Sequence, residues 1–327
     1  MIKKALITGI SGFVGAHLTE LLLKKGFMVT GLDISDQSMG GSTPHGRTLP
    51  KDVKTITVDL RDEQAVGEAL ARTSPDIIFH LAAQSSVKLS FENPAETFSI
   101  NITGSLNILE AVSKLEKPPK ILLISSSEIY GQLKPEEVPV TEQAPLAPVN
   151  PYAVSKATVD LMAYQYYRAY KLPVYWARAF SHAGPGQRTV AVLSDWAFQT
   201  ARIELGLSDP EIKVGNLEVT RDYTDVRDTV KAYLAILQDG RPGQPYNVCT
   251  GKGYKLDELL KIIAAFSSKT IEIIEDQSRL RPVDIPILVG SPARLKADTG
   301  WEPTLGIDRT LRDIYNYWIE YLTPQMQ

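Results

Sequence analysis

Lys4-Ala5-Leu6-Ile7-Thr8 runs directly into Gly9-Ile10-Ser11-Gly12-Phe13-Val14-Gly15. The first five residues read as a short apolar strand. The glycine triplet then opens a helical pattern carried by Leu18, Leu21, Leu22 and Leu23. That pattern stops at Lys24-Lys25-Gly26, a basic last turn with a glycine terminator. A second strand, Phe27 to Leu32, closes on Asp33. Strand, glycine-rich turn, helix, strand and terminal acid is the arrangement that binds dinucleotides. Glycines permit the tight turn, and the helix N-terminus offers backbone N–H groups to a pyrophosphate. Asp33 is placed to accept hydrogen bonds from ribose hydroxyls and to repel a 2′-phosphate, which favours NAD(H). Its other reading is a turn-forming acid at a strand end. Arg47, in the polar Gly/Pro-rich stretch Ser35 to Lys51, is near enough in sequence to fold back towards a 2′-phosphate, so NADP(H) stays open.

The alternation continues. Thr55 to Val58 reads as a strand ending at Asp59-Leu60, whose groups face an adenine in this arrangement. Glu63 to Arg72 is helical, and Pro75 to Leu81 is a strand leading into Ala82-Ala83-Gln84-Ser85-Ser86. Small residues there let backbone approach a cofactor. Pro94 to Lys114 reads as one helix in which Ile100, Ile102, Leu106, Ile108 and Leu109 give more apolar surface than one packing face needs. Lys120 to Ile124 is a buried strand that opens into Ser125-Ser126-Ser127-Glu128. This pattern predicts the α/β class: a Rossmann-type doubly wound parallel sheet over residues 1–180, completed by about 222–250. A smaller α/β substrate domain, 181–221 and 251–327, interleaves with it.

Asn150-Pro151 is a helix-entry signal, and the chain then runs to Tyr170 with no glycine and no further proline. Tyr152 and Lys156 are four apart and share a helix face. A free phenol has a pKa of about 10, and a nearby ammonium favours phenolate. Tyr152 then suits general acid–base work at a carbinol or carbonyl, the proton chemistry that accompanies hydride transfer. The plainer reading is a surface tyrosine on a lysine stem. Carboxyl ends of parallel strands face the ligand, so Ser126, Glu128, Tyr152 and Lys156 are expected to converge. Glu128 is either a general base or a loop carboxylate.

Past Val174 to Arg178 the regular alternation breaks. Helices are expected over Trp196 to Leu205, Thr229 to Leu237, Leu256 to Phe266 and Ile307 to Leu322. Arg188, Arg221 and Arg281 read as guanidinium groups in loops, suited to a diphosphate or, singly, to a solvated surface. The chain of 327 residues is 43% hydrophobic and 22% charged with a net charge of −3, which gives no footprint for nucleic acid or an anionic membrane. Cys249 is the single cysteine and the four histidines lack ligand spacing, so neither a disulfide nor a metal is expected. Ala5-Leu6-Ile7 is too short for a signal-peptide core and no run is long enough to span a membrane, which implies a cytoplasmic protein.

Taken together, Gly9-x-x-Gly12-x-x-Gly15, His80-Leu81-Ala82-Ala83-Gln84, Ser125-Ser126-Ser127-Glu128 and Tyr152-x-x-x-Lys156 resemble the extended short-chain dehydrogenase/reductases that act on nucleotide sugars. Asn101 and Arg221-Asp222 fit the same pattern. Phe180 to Gln187, Val214 to Glu218, Arg221 to Asp228 and Leu280 to Asp284 are most similar to the GDP-6-deoxy-4-keto-mannose reductases, relatives of the GDP-mannose 4,6-dehydratases. Ser181 departs from the asparagine usual there. The resemblance implies NAD(P)H-dependent reduction of GDP-4-keto-6-deoxy-D-mannose to GDP-D-rhamnose. The alternatives are a dehydratase or epimerase with tightly held NAD and Glu128 as base, and a catalytically silent nucleotide sensor on the same fold. It assigns catalysis to Ser126, Glu128, Tyr152 and Lys156. Cofactor contacts fall to Gly9, Ser11, Gly12, Phe13, Val14, Gly15, Asp33, Asp59, Leu60, Leu81, Ala82, Ala83, Gln84 and Asn101, with Tyr152 and Lys156. Ser85, Ser126, Ser181, His182, Arg188, Asn216, Arg221, Arg281 and Asp284 line the GDP-sugar side. The helices after Pro94 and Pro151 pair into an intersubunit four-helix bundle, which implies a homodimer.

Overall fold

The computed structural model describes residues 3–34, 49–280 and 283–326, so Arg47 and Arg281 lie outside the described residues. Six strands and six helices alternate along the first part of the chain: β1 (Lys4–Thr8), α1 (Phe13–Lys24), β2 (Met28–Asp33), β3 (Lys54–Thr57), α2 (Glu63–Thr73), β4 (Ile77–His80), α3 (Val87–Glu92), α4 (Pro94–Phe98), α5 (Gly104–Ser113), β5 (Lys120–Ser126), α6 (Pro151–Tyr170) and β6 (Val174–Ala179). With Pro245–Val248 they form a seven-stranded sheet in the order Pro245–Val248, β6, β5, β4, β1, β2, β3. Every pairing in it is parallel. Strand order reverses between β1 and β4, and the crevice outside their carboxyl ends is where ligands bind in such sheets.

Parallel strands need helices on both faces, so their sequences lose the alternation of half-buried strands. All four residues of β4 and all six of β6 are buried. One face packs Leu18 and Leu22 of α1 against Val230, Tyr233 and Leu234 of the helix Val226–Asp239. The other packs Val66 and Leu70 of α2, Ile108 and Leu109 of α5, and Val159 and Ala163 of α6. Arg178 of β6 clamps α6 from inside, donating to Asp160 at 3.0 and 2.7 Å and to the Tyr130 hydroxyl at 3.0 Å.

The expected single helix from Pro94 to Lys114 is interrupted. A wider π-helical turn, Ser99–Thr103, separates α4 from α5 and holds Asn101 at its middle. Two later helices start earlier than their apolar pattern suggested, at Val192 and at Val226. At Val226 the reason is a cap: the Asp225 carboxylate, last residue of a strand, accepts from Arg227 N at 2.9 Å and turns the chain at once into helix.

The smaller unit centres on the strand Thr220–Asp225, which pairs with Ser181–Ala183, Gly253–Lys255 and Ile287–Leu288. Its core joins Trp196, Leu259, Ile263, Ile314 and Trp318. Asp222 stitches the unit together, accepting from Thr250 N and Oγ1 at 2.8 and 2.6 Å and from Gly251 N at 2.9 Å. Leu295 and Trp301, in the stretch assigned from sequence to the smaller domain, pack instead in the core of the large sheet. Among the described residues no helix is long and apolar enough to cross a membrane.

Candidate active site

The glycine-rich turn is built for close approach. Gly9 has φ +68°, and a Cβ there would lie 2.9 Å from the Ala82 backbone; a Cβ on Gly15 would lie 2.3 Å from the Ile10 carbonyl. Only glycine lets the turn nest against both the following helix and the loop after β4. Helix α1 starts on Gly12 with no capping side chain and no acid in its first turn. By contrast α2 is capped by Asp62, which accepts from Ala65 N, and carries Glu63. The first N–H groups of α1 therefore stay available to an anion. Ser11 Oγ is buried with no partner among the described residues, an acceptor and donor directed into the turn. A diphosphate fits both features. Asp33 sits beside the turn, its carboxylate accepting from Ser11 N at 3.1 Å and Ile34 N at 2.8 Å. Phe13 stacks on His182 with ring centroids 6.2 Å apart, so the turn also touches the segment after β6. Asp59 pairs with Arg61 at 2.5 Å, and Leu60 O accepts from Asn107 at 2.9 Å, which fixes the end of β3.

The second constellation forms where β5 ends and α6 begins. Asn150 caps α6 by accepting from Ala153 N at 2.7 Å, and its amide donates to Glu128 Oε2 at 3.0 Å. One residue thus sets both the first turn carrying Tyr152 and the carboxylate of Glu128. Ser126 Oγ accepts from Glu128 N at 3.2 Å, and Ser126 is the neighbour that acts to lower the Tyr152 pKa. Lys156 is buried, and its Nζ donates to Ile124 O at 2.9 Å. The end of β5 and the start of α6 are thus tied together at Ser126, Glu128, the Tyr152 turn and Lys156.

Their electrostatics correct the sequence expectation. Tyr152 is not drawn towards phenolate by Lys156: burial pushes its pKa up to about 12, opposed by Ser126 and assisted by the Glu128 charge. Desolvation of the phenolate outweighs the help it receives. Burial also brings Lys156 down to about 8, since an ammonium loses hydration there.

On the substrate side the residues divide. A cavity of about 640 Å³ is lined by residues including Asn216, Glu218, Glu275, Leu280 and Asp284. Asn216 Nδ2 donates to Asp284 Oδ2 at 3.0 Å across it. Arg188 is exposed on the connection after Ser181–Ala183, and Ser181 and His182 lie on that strand beside the turn. Arg221 is not in a loop. It is buried in the strand Thr220–Asp225, and its Nη1 donates to Thr220 O at 3.0 Å and Ile285 O at 2.6 Å. Strand pairing with two distant segments draws it inward.

The loop after β4 is more tightly held than small residues alone suggest. Gln84 donates to Ser86 O and Thr97 Oγ1, while Ser85 is exposed. Asn101 accepts from Gln84 N at 2.8 Å and donates to Gln84 O at 3.0 Å and Ser155 Oγ at 2.9 Å, so its amide holds Ala83–Gln84 in place from within the protein. Asn150 and Ser155 were missed as site residues. The Asn-Pro step signalled the first as a cap, and nothing local signalled the second.

The glycine turn and Ser126 stand at carboxyl ends of strands in one parallel sheet, with Tyr152 and Lys156 on the first turns of α6, an arrangement that marks an NAD(P)-dependent oxidoreductase of the short-chain dehydrogenase/reductase class. Within that class the chain belongs to the GDP-mannose 4,6 dehydratase family, whose model matches residues 6–314. It is 36% identical over 318 residues to a GDP-6-deoxy-D-mannose reductase of Pseudomonas aeruginosa, covering 97% of this chain and 98% of that one. It is 31% identical to a GDP-mannose 4,6-dehydratase of Yersinia enterocolitica, covering 94% and 91%. Among solved structures, RMD of Pseudomonas aeruginosa complexed with NADPH superimposes with a TM-score of 0.84 at 34% identity, covering 98% of each chain. A Thermus thermophilus UDP-glucose 4-epimerase complexed with NAD gives 0.84 at 31% identity, covering 96% and 98%.

Proposed function

We propose that this enzyme reduces the 4-keto group of GDP-4-keto-6-deoxy-D-mannose to give GDP-D-rhamnose, using NADH or NADPH. The observation that carries the reading is the placement of Ser126 and Glu128 at the end of β5 against the first turns of α6, where Asn150 caps the turn bearing Tyr152 and bonds Glu128, and the buried Lys156 reaches back to Ile124 O. The nicotinamide, when bound, supplies the hydride. Gly9, Gly12, Gly15 and Ser11 hold its diphosphate, and Asp33 its adenosine ribose. Ser126 orients the ketone oxygen. Tyr152, still protonated at neutral pH because its pKa is near 12, gives its proton to the oxygen as negative charge develops there, an alkoxide being the stronger base. Lys156, an ammonium below about pH 8, is assigned to hold the cofactor ribose. Arg188, Asn216, Asp284, Ser181 and His182 are assigned to the nucleotide-sugar side, with Arg281 beside them in sequence.

Glu128 stands where a dehydratase would place its base, which counts against reduction, but its setting weakens that objection. Its carboxylate is held by the α6 cap, Asn150, at 3.0 Å, as suits a positioning group more than a mobile base. The higher identity to the reductase, 36% against 31%, points the same way. The test is to incubate the enzyme with GDP-4-keto-6-deoxy-D-mannose and NADH or NADPH and to identify the sugar nucleotide formed. Recovery of GDP-D-rhamnose supports the reading, and recovery of unchanged ketone with both donors refutes it.

The division into a sheet domain, 1–180 with 222–250, and an interleaved substrate domain is adjusted at two places: 222–225, in the central strand of the smaller sheet, go to the substrate domain, and Ala293 to Trp301 go to the sheet domain on the packing of Leu295 and Trp301. The chain also pairs with a second copy through α5 and α6. Leu161 is 62% exposed, and Val154, Tyr164 and Leu106 join it on the outer surfaces of these helices. A helix apolar on both sides has a second face to bury. Leu161→Lys is expected to shift the sedimenting species from dimer to monomer; a wild-type chain that sediments as a monomer would rule the bundle out.

A further inference from the structure

A line of buried polar groups crosses the sheet edge between the cofactor turn and the catalytic helix. Thr8, His80, Asn101, Ser105 and Ser155 are each buried to 96% or more, the most exposed being His80 at 4%. His80 Nδ1 lies 2.8 Å from Thr8 Oγ1, and His80 Nε2 lies 2.9 Å from Ser105 Oγ. The remaining bonds fix which way each proton points. Ser105 Oγ donates its one hydrogen to Asn101 O at 2.6 Å, so it accepts from His80 and Nε2 carries the ring proton. The ring is neutral, its pKa brought down to about 3 by burial and then by the Lys156 charge, so Nδ1 is bare and accepts from Thr8. Thr8 Oγ1 in turn accepts from Ala82 N at 3.2 Å. Beyond Ser105, Asn101 Nδ2 donates to Ser155 Oγ at 2.9 Å, and Ser155 Oγ donates to Tyr152 O at 2.7 Å.

The donors run in one direction from the Ala82 amide to the Asn101 main-chain carbonyl, and the Asn101 side-chain amide, joined to it only through the residue's own covalent frame, starts a second run through Ser155 to the Tyr152 carbonyl. The two ends are functional. Ala82 is the residue against which Gly9 closes, and Tyr152 is the proposed proton donor. We propose that His80 is a positioning residue for the reaction: as the neutral Nε2–H tautomer it links β4 and the cofactor turn to the first turn of α6 and so fixes the Tyr152 phenol relative to the bound nicotinamide. This rests on the reading of Tyr152 as the acid. His80 touches neither substrate nor cofactor. Its effect falls on the geometry of the chemical step, where a displacement of about 1 Å costs as much as 10²-fold in rate. The alternative is that His80 does no more than satisfy two buried hydroxyls.

The test compares His80→Leu, His80→Gln and Ser155→Ala with the wild-type enzyme, each checked for folding by its melting temperature. The measurements are kcat, both KM values, and the primary deuterium isotope effect with reduced cofactor labelled at the transferred position. His80→Leu breaks the chain at its centre and is expected to lower kcat on the order of 10- to 10²-fold, with both KM values within about two-fold and a raised isotope effect on kcat. Glutamine offers one donor and one acceptor, so His80→Gln recovers much of that loss. Ser155→Ala removes the last link with little change of volume and lowers kcat in the same way; it also carries the test if His80→Leu does not fold. Val66→Ala, in the α2 core away from the site, serves as the control for general destabilisation. Wild-type kcat in folded His80→Leu or in Ser155→Ala, or an equal loss of kcat in Val66→Ala, overturns the proposal. Tyr152→Phe is measured alongside. Full activity there removes the reading of Tyr152, and the proposal with it, whereas inactive Tyr152→Phe beside fully active His80→Leu refutes the positioning role alone.

Discussion

The cofactor half and the substrate half of this molecule place their functional groups by different means. On the cofactor side, Gly9, Asp33 and Ser126 stand at or just past the ends of strands, and Tyr152 and Lys156 occupy the first turns of a helix. Their positions follow from regular elements whose local sequence defines them. On the substrate side, position comes from long-range stitching. Asp222 reaches Thr250 and Gly251, Asn216 reaches Asp284, and Arg221 reaches Ile285. The comparison teaches that the glycine turn and the Tyr152 helix take their positions mainly from local elements, and the second group of residues takes its positions from tertiary contacts. Substitutions in the two halves should therefore fail differently.

The largest effect is expected at α6. Tyr152→Phe should lower turnover roughly 10²- to 10⁴-fold while leaving cofactor affinity nearly unchanged, as for removal of a general acid. Lys156→Met should lose rate and weaken cofactor binding together. The pH profile separates the pair. Reduction requires Tyr152 protonated, which holds up to about pH 12, and Lys156 charged, which fails above about pH 8. The rate should therefore decline as pH rises through about 8, and Lys156→Arg, if active, should remove that decline because a guanidinium stays charged. A rate that stays flat to pH 10 would separate Lys156 from catalysis.

The second comparison sets two arginines apart. Arg221→Ala leaves the Thr220 and Ile285 carbonyls without a donor that the structure gives them, at about 1–3 kcal/mol for each buried group left unsatisfied, so it should lower Tm first. Arg188→Ala, at an exposed site, should leave Tm unchanged and raise KM for the nucleotide sugar about ten-fold, the scale of one charge-assisted hydrogen bond. Equal behaviour in the two variants would erase the distinction between an arginine that stitches the fold and one that faces solvent.

The same contrast explains what the sequence disclosed. The glycine turn, Asp33 and the Tyr152–Lys156 pair were legible because each rests on spacing within one element or one strand–turn–helix unit. The sense of the Tyr152 shift was not, because burial is a property of the assembled crevice. Arg221 read as a loop residue because its strand is completed by Gly253–Lys255 and Ile287–Leu288, which arrive much later in the chain. That the Asn101 amide bonds Gln84 and Ser155 was not legible either, because the π-helical turn that places it there is no local pattern of the sequence.

A smaller effect is expected at Asp33, which lies beside the turn and bonds Ser11 N. Its carboxylate should favour NADH, and Asp33→Ala should shift preference several-fold towards NADPH by removing repulsion of a 2′-phosphate. Competitive binding of the two reduced cofactors checks this. Tighter binding of NADPH by the wild-type enzyme would assign control of the pocket to a cation instead.

Glu128 decides the central claim. A dehydratase removes the C5 proton of its 4-keto intermediate with a carboxylate and returns its hydride to C6, consuming no reductant. A reductase leaves its hydride on C4. The direct measurement is to follow NAD(P)H absorbance and sugar products for wild-type and Glu128→Gln enzyme, with the 4-keto substrate and, separately, with GDP-mannose alone. The expected result is one equivalent of NAD(P)H consumed per ketone reduced, appreciable activity in Glu128→Gln, and no conversion of GDP-mannose. Formation of the 4-keto-6-deoxy product from GDP-mannose without added reductant, abolished by Glu128→Gln, would contradict it.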